Sequence, residues 1–298
     1  MYDIEALYEA ESPSHAVELL AKYPEARIIA GGSDVLIEIR SGKPAGCTLV
    51  SIQKLDELRG ITIDTDAAVR IGALTSISHI AKDPIIQEHI PVLAEAAETI
   101  GGPQLRNIAT IGGNVCNGVT SADTASTLLA FDAVMEYLGR GGKRLVPIKE
   151  HYIAAGKTSL AHEEILTAII IPKESYENCF GHYIKYAMRE ALDIATLGCS
   201  ANVRLSKDRK IIERLRLAYG VAGPVPMRSP SAEAAVAGKP ANEKTINAAA
   251  KAVAADIRPR TSWRASAEFR LHLAAELARR AIRESVVRAG IEPKEGAL

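Results

Sequence analysis

Two stretches decide the reading: Ile29-Ala30-Gly31-Gly32-Ser33-Asp34-Val35 and Thr110-Ile111-Gly112-Gly113-Asn114. The first reads as a strand–turn–helix junction. The second follows Gly101-Gly102-Pro103-Gln104-Leu105-Arg106-Asn107. A glycine pair removes the Cβ atoms that would keep a ligand off the main chain, and it permits positive φ. Successive N–H groups then converge on an anion, and a helix start behind them adds a favourable dipole. Two such loops suit a diphosphate better than a single phosphate. Read singly, each pair is equally a plain turn.

Outward from the first pair, the pattern is α/β. Ser12-Pro13 reads as an N-cap with proline at the first helical position. A helix over His15–Tyr23 follows, with Ala16, Leu19, Leu20 and Tyr23 on one face. Arg27–Ala30 is a short strand, Ser33-Asp34 would cap a helix over Val35–Arg40, and Leu49–Ile52 is another strand. Around the second pair the pattern is mixed. Ile61–Asp64 and Val69–Gly72 form a hairpin, and Thr75–Ala81 and Pro84–Ile100 are helices. Gly101–Gly118 is a glycine-rich stretch. Then come a helix over Ala122–Phe131 and strands near Ala133–Leu138, Leu145–Ile148 and Ile165–Ile171. A domain boundary falls near Pro172–Cys179. Beyond it, His182–Arg189, Ala195–Leu205 and Ile211–Val221 are strands, antiparallel because their connections are short. Alanine-rich helices over Ser231–Ala237, Glu243–Asp256 and Ala265–Arg288 close the chain.

Composition narrows the function. The 298 residues carry 36 Lys+Arg and 36 Asp+Glu, so the formal net charge is zero. That argues against capture of nucleic acid or an anionic membrane, which needs a basic footprint. It also suits a diphosphate held by main-chain N–H groups. The acidic N-terminus, Met1-Tyr2-Asp3-Ile4-Glu5, lacks a signal pattern, and the apolar run Ile165–Ile171 is too short to span a bilayer, so a cytoplasmic protein is expected. Cys47, Cys116, Cys179 and Cys199 are scattered without a CxxC, which disfavours a zinc or iron–sulfur site on this chain. They are expected to be half-buried thiols. A P-loop fails because His151 stands where Ala155-Gly156-Lys157-Thr158 requires a glycine, and no GxGxxG or GxSxG occurs. His162-Glu163 starts like HExxH but has no second histidine.

The two glycine segments, with Asn117-Gly118 and Ser121-Ala122-Asp123, resemble the FAD-binding subunit of the molybdenum-hydroxylase family. Lys185-Tyr186-Ala187-Met188-Arg189-Glu190-Ala191-Leu192-Asp193-Ile194-Ala195 and Ser262-Trp263-Arg264-Ala265-Ser266-Ala267-Glu268-Phe269-Arg270 look most like the bacterial three-subunit xanthine dehydrogenases of that family. The resemblance covers the whole chain. It implies an α+β fold: a two-lobed FAD-binding domain of the PCMH (vanillyl-alcohol-oxidase-like) type over 1–176, with lobes of about 1–55 and 56–176. A C-terminal domain of the CO dehydrogenase flavoprotein type, an antiparallel sheet with a helical bundle, would follow over 177–290. It implies a subunit that takes electrons from a [2Fe–2S] small subunit and passes them to NAD. Hypoxanthine or xanthine would be hydroxylated on a molybdopterin-binding large subunit. The same role in a CO, nicotinate or aldehyde dehydrogenase is the alternative, as is a free-standing flavin reductase.

The resemblance also implies residue roles. Ile28, Ile29, Ala30, Gly31, Gly32, Ser33, Asp34 and Val35 would line the diphosphate and ribityl chain, with Thr110, Gly112, Gly113 and Asn114 closing the other side. Asp123 matches a carboxylate for a sugar hydroxyl. Ile165 and Leu166 would pack on the flavin or adenine, or belong to the strand core. Lys185 matches a lysine near the flavin, where a cation would stabilise the anionic reduced ring. Ile100 stands where mammalian relatives carry an aromatic that stacks on the isoalloxazine. This departure puts that stacking in question. Glu190 and Asp193 read either as an acidic pair facing the nicotinamide or as solvated charges. Arg106 and Asn107 would brace the second segment rather than touch FAD.

Overall fold

The computed structural model describes residues 2–42 and 45–294, so Met1 of the N-terminal reading lies outside it. The first lobe is a three-stranded parallel sheet of β1 (Ile4–Glu9), β2 (Arg27–Ile29) and β3 (Cys47–Ser51), in the order β1-β3-β2. Helix α1 (Pro13–Lys22) links β1 to β2, and α2 (Val35–Arg40) links β2 to β3. The Ser12 hydroxyl accepts the His15 N–H at 3.0 Å, so the predicted cap forms with Pro13 behind it. Strand β1 has no counterpart in the sequence reading. It is an edge strand with no buried residue, so burial left no clear apolar alternation to read.

The second lobe is a five-stranded antiparallel sheet of β4 (Ile61–Ile63), β5 (Val69–Gly72), β6 (Val134–Gly139), β7 (Gly142–Pro147) and β8 (Glu164–Ile171), in the order β4-β5-β8-β6-β7. It shares one core with α3 (Ile77–Lys82), α4 (Pro84–His89), α5 (Pro91–Glu98) and α8 (Asp123–Ala130). The single helix expected over Pro84–Ile100 is two helices. Pro91 lacks an N–H to continue the ladder, and the chain turns at Ile90. The glycine-rich stretch is also folded, into α6 (Pro103–Ile108) and α7 (Ile111–Cys116), each entered through a capping residue or proline.

The third sheet is antiparallel: β9 (Cys179–Tyr186), β10 (Leu197–Leu205), β11 (Ile211–Gly220) and β12 (Met227–Arg228) in sequential order. Helices α9 (Pro230–Val236), α10 (Glu243–Ala252) and α11 (Ala267–Arg288) share its core. The α+β architecture is therefore the expected one. Polar contacts tie this sheet to the second lobe. The Asn202 amide donates to the carbonyls of Ala130 (3.1 Å) and Ser175 (2.8 Å). Glu95 of α5 accepts from the Tyr183 N–H at 3.1 Å and lies 2.9 Å from the His182 ring.

Two of the four thiols, Cys47 and Cys199, are fully buried rather than half-buried. Burial pushes the thiols of Cys116 and Cys199 up to about 12, so both are inert. Among the described residues no three His, Cys, Asp or Glu side chains converge as metal ligands. No helix there is long and apolar enough to cross a membrane.

Candidate functional site

Strand β2 delivers the first glycine pair. Ile28 and Ala30 pack into the first lobe's core, while Ile29 and Val35 pack against Ile39, Cys47 and Leu49. Gly32 has φ +74°, which turns the chain into α2 and suits glycine. Gly31 lets two segments touch. A Cβ built there would lie 1.9 Å from the Ile108 carbonyl oxygen and 3.3 Å from Ala109 Cα, at the end of α6. The N–H groups of Gly31, Gly32, Ser33, Asp34 and Val35 find no acceptor among the described residues. Asp34 occupies the N-cap position but makes no capping bond, contrary to the expectation for Ser33-Asp34. Its backbone (φ −106°, ψ −51°) is already helical, whereas a cap needs extended backbone. Five consecutive donors are thus left for an anion.

The second glycine pair is built differently. Gly112 and Gly113 lie inside α7, and neither has positive φ. Their N–H groups are already used. Ile111 donates to Thr75 O (3.0 Å), Gly112 to Ala73 O (2.8 Å), Gly113 to Thr110 Oγ1 (3.1 Å) and Asn114 to Thr110 O (3.0 Å). The expected second cradle of converging N–H groups is therefore absent. Gly112 instead permits close packing, since a Cβ there would meet Ala73 O at 2.7 Å. Gly113 is exposed and bare. Asn114 Oδ1 accepts from Thr124 Oγ1 at 2.6 Å, so its amide NH2 remains as a donor. Behind α7, the buried His151 donates from Nε2 to the Val115 carbonyl (3.1 Å) and accepts the Tyr137 hydroxyl at Nδ1. Burial holds this histidine below its ordinary pKa, so it is neutral and fixes the end of α7. Arg106 donates to the carbonyls of Glu98 (3.0 Å) and Ile100 (2.9 Å), and Asn107 accepts from Ser78 (2.6 Å). Both brace the segment.

Asp123 and Lys185, predicted for separate roles, are paired. Lys185 Nζ lies 2.9 Å from Asp123 Oδ2 and 3.0 Å from the Thr99 carbonyl. The Tyr183 hydroxyl donates to Asp123 Oδ1 at 2.9 Å. Both charged side chains are less than a tenth exposed. Burial raises the Asp123 carboxyl against the downward pull of Lys185 and Tyr183, and burial beside Asp123 raises the Tyr183 hydroxyl well above its ordinary value. Lys185 is therefore not a lone cation. Its ammonium has three donors, two of them committed here. Sequence reasoning missed Tyr183 and Thr124. The signal for Tyr183 was available: residues 183 and 185 lie two apart on β9 and share a face.

These contacts run in one line: Gly31 to Ile108–Ala109, Thr110 to Asn114, Asn114 to Thr124, Asp123 to Lys185, Lys185 to Thr99. Ile100 adjoins the end of that line but is buried in the second lobe's core. Ile165 and Leu166 are off it. They are 2% and 4% exposed, one in each lobe's core, which is the strand-core reading of the pair. A cavity of about 310 Å³ opens beside Thr99 and Lys185, walled by Tyr186–Ala191 and Asp193. Asp193 is tied into this loop by the N–H groups of Ile194 (2.8 Å) and Arg189 (3.0 Å), whereas Glu190 is exposed. A larger cavity of about 480 Å³, between Ser12–Ser14 and Arg70, Lys143 and Thr167, contains none of the predicted residues.

Comparison with known proteins supplies the context for this line. Residues 2–174 match the family described as the FAD binding domain in molybdopterin dehydrogenase. Residues 182–285 match the CO dehydrogenase flavoprotein C-terminal domain. The chain is 44% identical to the putative xanthine dehydrogenase FAD-binding subunit of Escherichia coli (strain K12), over 97% of this chain and 99% of that one. It is 30% identical to the carbon monoxide dehydrogenase medium chain of Hydrogenophaga pseudoflava, over 91% and 93% of the two chains. The solved structure of the carbon monoxide dehydrogenase from Hydrogenophaga pseudoflava superposes with a TM-score of 0.91 at 29% identity, covering 97% of this chain and 99% of that one.

Proposed function

The chain belongs to the FAD-binding flavoprotein family of the molybdopterin dehydrogenases, and from that premise we propose that it is the electron-transfer subunit of a xanthine dehydrogenase. In this reading a [2Fe–2S] subunit donates the electrons, NAD receives them, and a molybdopterin subunit hydroxylates hypoxanthine or xanthine. The observation that carries the purine assignment is the 44% identity over 97% of the chain to the Escherichia coli relative. The chain divides, on this reading, into an FAD-binding domain over 1–176 and a C-terminal domain over 177–290. The change of sheet between β8 and β9 supports that division.

The residues present fit a dinucleotide. The five unsatisfied N–H groups of Gly31–Val35 suit a diphosphate, and a side chain at Gly31 would close the approach to Ile108. FAD, when bound, accepts electrons singly and releases them as a pair. The chain's own residues would do the rest. Gly31–Val35 hold the diphosphate from the first lobe. The Asn114 amide, oriented by Thr124, donates from the second. Asp123, its two oxygens engaged by Tyr183 and Lys185, presents its remaining lone pairs to a sugar hydroxyl. Lys185 keeps a third donor, and it lines the cavity together with residues 186–191 and Asp193. Ile165 and Leu166 support β8 from within.

The test is the visible flavin absorbance of the purified native complex. Xanthine should bleach it, and NAD⁺ should restore it. Bleaching by carbon monoxide or nicotinate and not by xanthine would reassign the substrate. Persistent bleaching in the presence of NAD⁺ would remove NAD as acceptor. Absence of flavin from the complex would sink the whole reading.

A further inference from the structure

One stretch that carries the resemblance, Ser262–Arg270, has no part in the site described above. It belongs to a run in which Arg258, Arg260, Arg264 and Arg270 fall within thirteen residues. None of these guanidinium groups forms an ion pair among the described residues. Arg258 donates to the carbonyl of Ile257 (2.6 Å). Arg270, 2% exposed, donates to Thr196 O (3.2 Å), Ser262 Oγ (2.8 Å) and the Arg260 carbonyl. Asp256, a carboxylate nearby in sequence, is taken up by Ser229 and Ser231. Burial, with the charges of Arg260 and Arg264, lowers the proton affinity of Arg270, so the cluster repels itself. The run's one carboxylate, Glu268, is outnumbered by the four arginines, so in a chain of zero net charge this is a local positive excess.

On the cluster stands Trp263, the one tryptophan of the chain, 75% exposed. The Arg264 guanidinium lies 4.2 Å from its ring centre. The cation–π contact holds the indole at the surface beside the cluster. Tryptophan and arginine are the residue types that dominate binding energy at interface centres.

The cluster is fastened to the wall of the 310 Å³ cavity. Arg270 holds the Thr196 carbonyl, and the Thr196 N–H donates to Tyr186 O at 2.8 Å. Tyr186 follows Lys185 in that wall, and its ring sits 6.0 Å from that of Phe269. A partner seated on Trp263 therefore sits beside the cavity lined by Lys185, the residue that the resemblance puts near the flavin. Of the two species that exchange electrons with the flavin in the proposed function, the donor is the one that brings a protein surface, and a protein surface that answers an arginine excess carries carboxylates. We propose that Trp263 with the Arg258–Arg270 cluster is the docking face for an acidic surface of the [2Fe–2S] subunit, an inference that rests on the reading of the chain as an electron-transfer subunit.

The test uses the complex isolated from its source organism through a tag on this chain, comparing the parent with Trp263→Ala and with the double substitution Arg260→Glu, Arg264→Glu. Flavin, iron and molybdenum per chain, subunit composition and melting temperature are measured. Affinity for the purified [2Fe–2S] subunit is measured at two salt concentrations. Both variants should keep the parent's flavin content and melting temperature while binding the [2Fe–2S] subunit about thirty-fold more weakly or worse. The parent's affinity should fall with added salt, and the charge reversal should remove most of that dependence. Parental affinity in Trp263→Ala and in the charge reversal would overturn the proposal. So would loss of the molybdopterin subunit alone, loss of self-association alone, or release of a bound nucleotide as the sole change. A parent complex without flavin would instead refute the electron-transfer reading, whatever the variants bind.

Discussion

The two glycine pairs look alike in sequence and do different work. Gly31-Gly32 lies at a strand end with five N–H groups unsatisfied, next to a left-handed turn. Gly112-Gly113 lies within a helix whose first N–H groups are already bonded to Ala73, Thr75 and Thr110. The first pair offers donors and the second offers proximity. Glycine serves a ligand by freeing the backbone or by removing a side chain, and only the surrounding acceptors decide which.

That contrast can be broken by substitution. Gly31→Ala should have the largest effect, because its Cβ meets a backbone carbonyl at 1.9 Å and backbone cannot swing aside. A loss of about 3 kcal/mol in chemical denaturation, at the upper end for overpacking, and colourless purified protein are expected. Gly112→Ala, 2.7 Å from Ala73 O, should cost about 1–3 kcal/mol while flavin per folded molecule stays near the parent's, because no free donor is lost. If Gly112→Ala lost flavin as completely as Gly31→Ala, the distinction between donor and spacer would fail. Gly113→Ala meets only Thr110 Oγ1, at 3.1 Å. The folding free energy of the flavin-free protein should change by less than about 1 kcal/mol, the size of the helix-propensity difference. Flavin affinity should fall, since a methyl group would stand on the exposed face.

The smallest effect on the contrast should come from acid. Against the upward push of burial, Arg70, Thr167 and Lys143 hold the Glu136 carboxyl down at about 2 from its usual 4.5. A carboxyl lowered in the folded state stabilises fully above the unfolded value, and that contribution fades as pH falls from about 4.5 toward 2. Melting temperatures over that range should show the slope, and Glu136→Gln should flatten it without favouring either glycine segment.

Much was legible without coordinates. Ser12-Pro13, the hairpin over residues 61–72 and the three long antiparallel strands leave local signatures, because each follows from caps, turns or alternation within a few residues. The break at Pro91 is local as well, because a proline without an N–H starts a helix more readily than it continues one. Other features left no such trace. Strand β1 buries nothing, so it carries no pattern. The assignment of Ile165 and Leu166 to two separate cores depends on how β8 lies between lobes, and an apolar run reads the same in either place.

By itself the sequence determined the chemistry available: glycines where a backbone must be bare, a formal net charge of zero, and four cysteines scattered without a CxxC. It also determined the order of elements, since periodicity and capping act over one or two turns. Tertiary structure alone decided which N–H groups remain free, since each is consumed or spared by a partner from another segment. It alone joined Asp123 to Lys185, 62 residues apart, turning two separate expectations into one buried pair. And it alone brought the arginine-rich run to the cavity wall, because an ion pair or a docking face is a property of distance, which folding sets and sequence order does not.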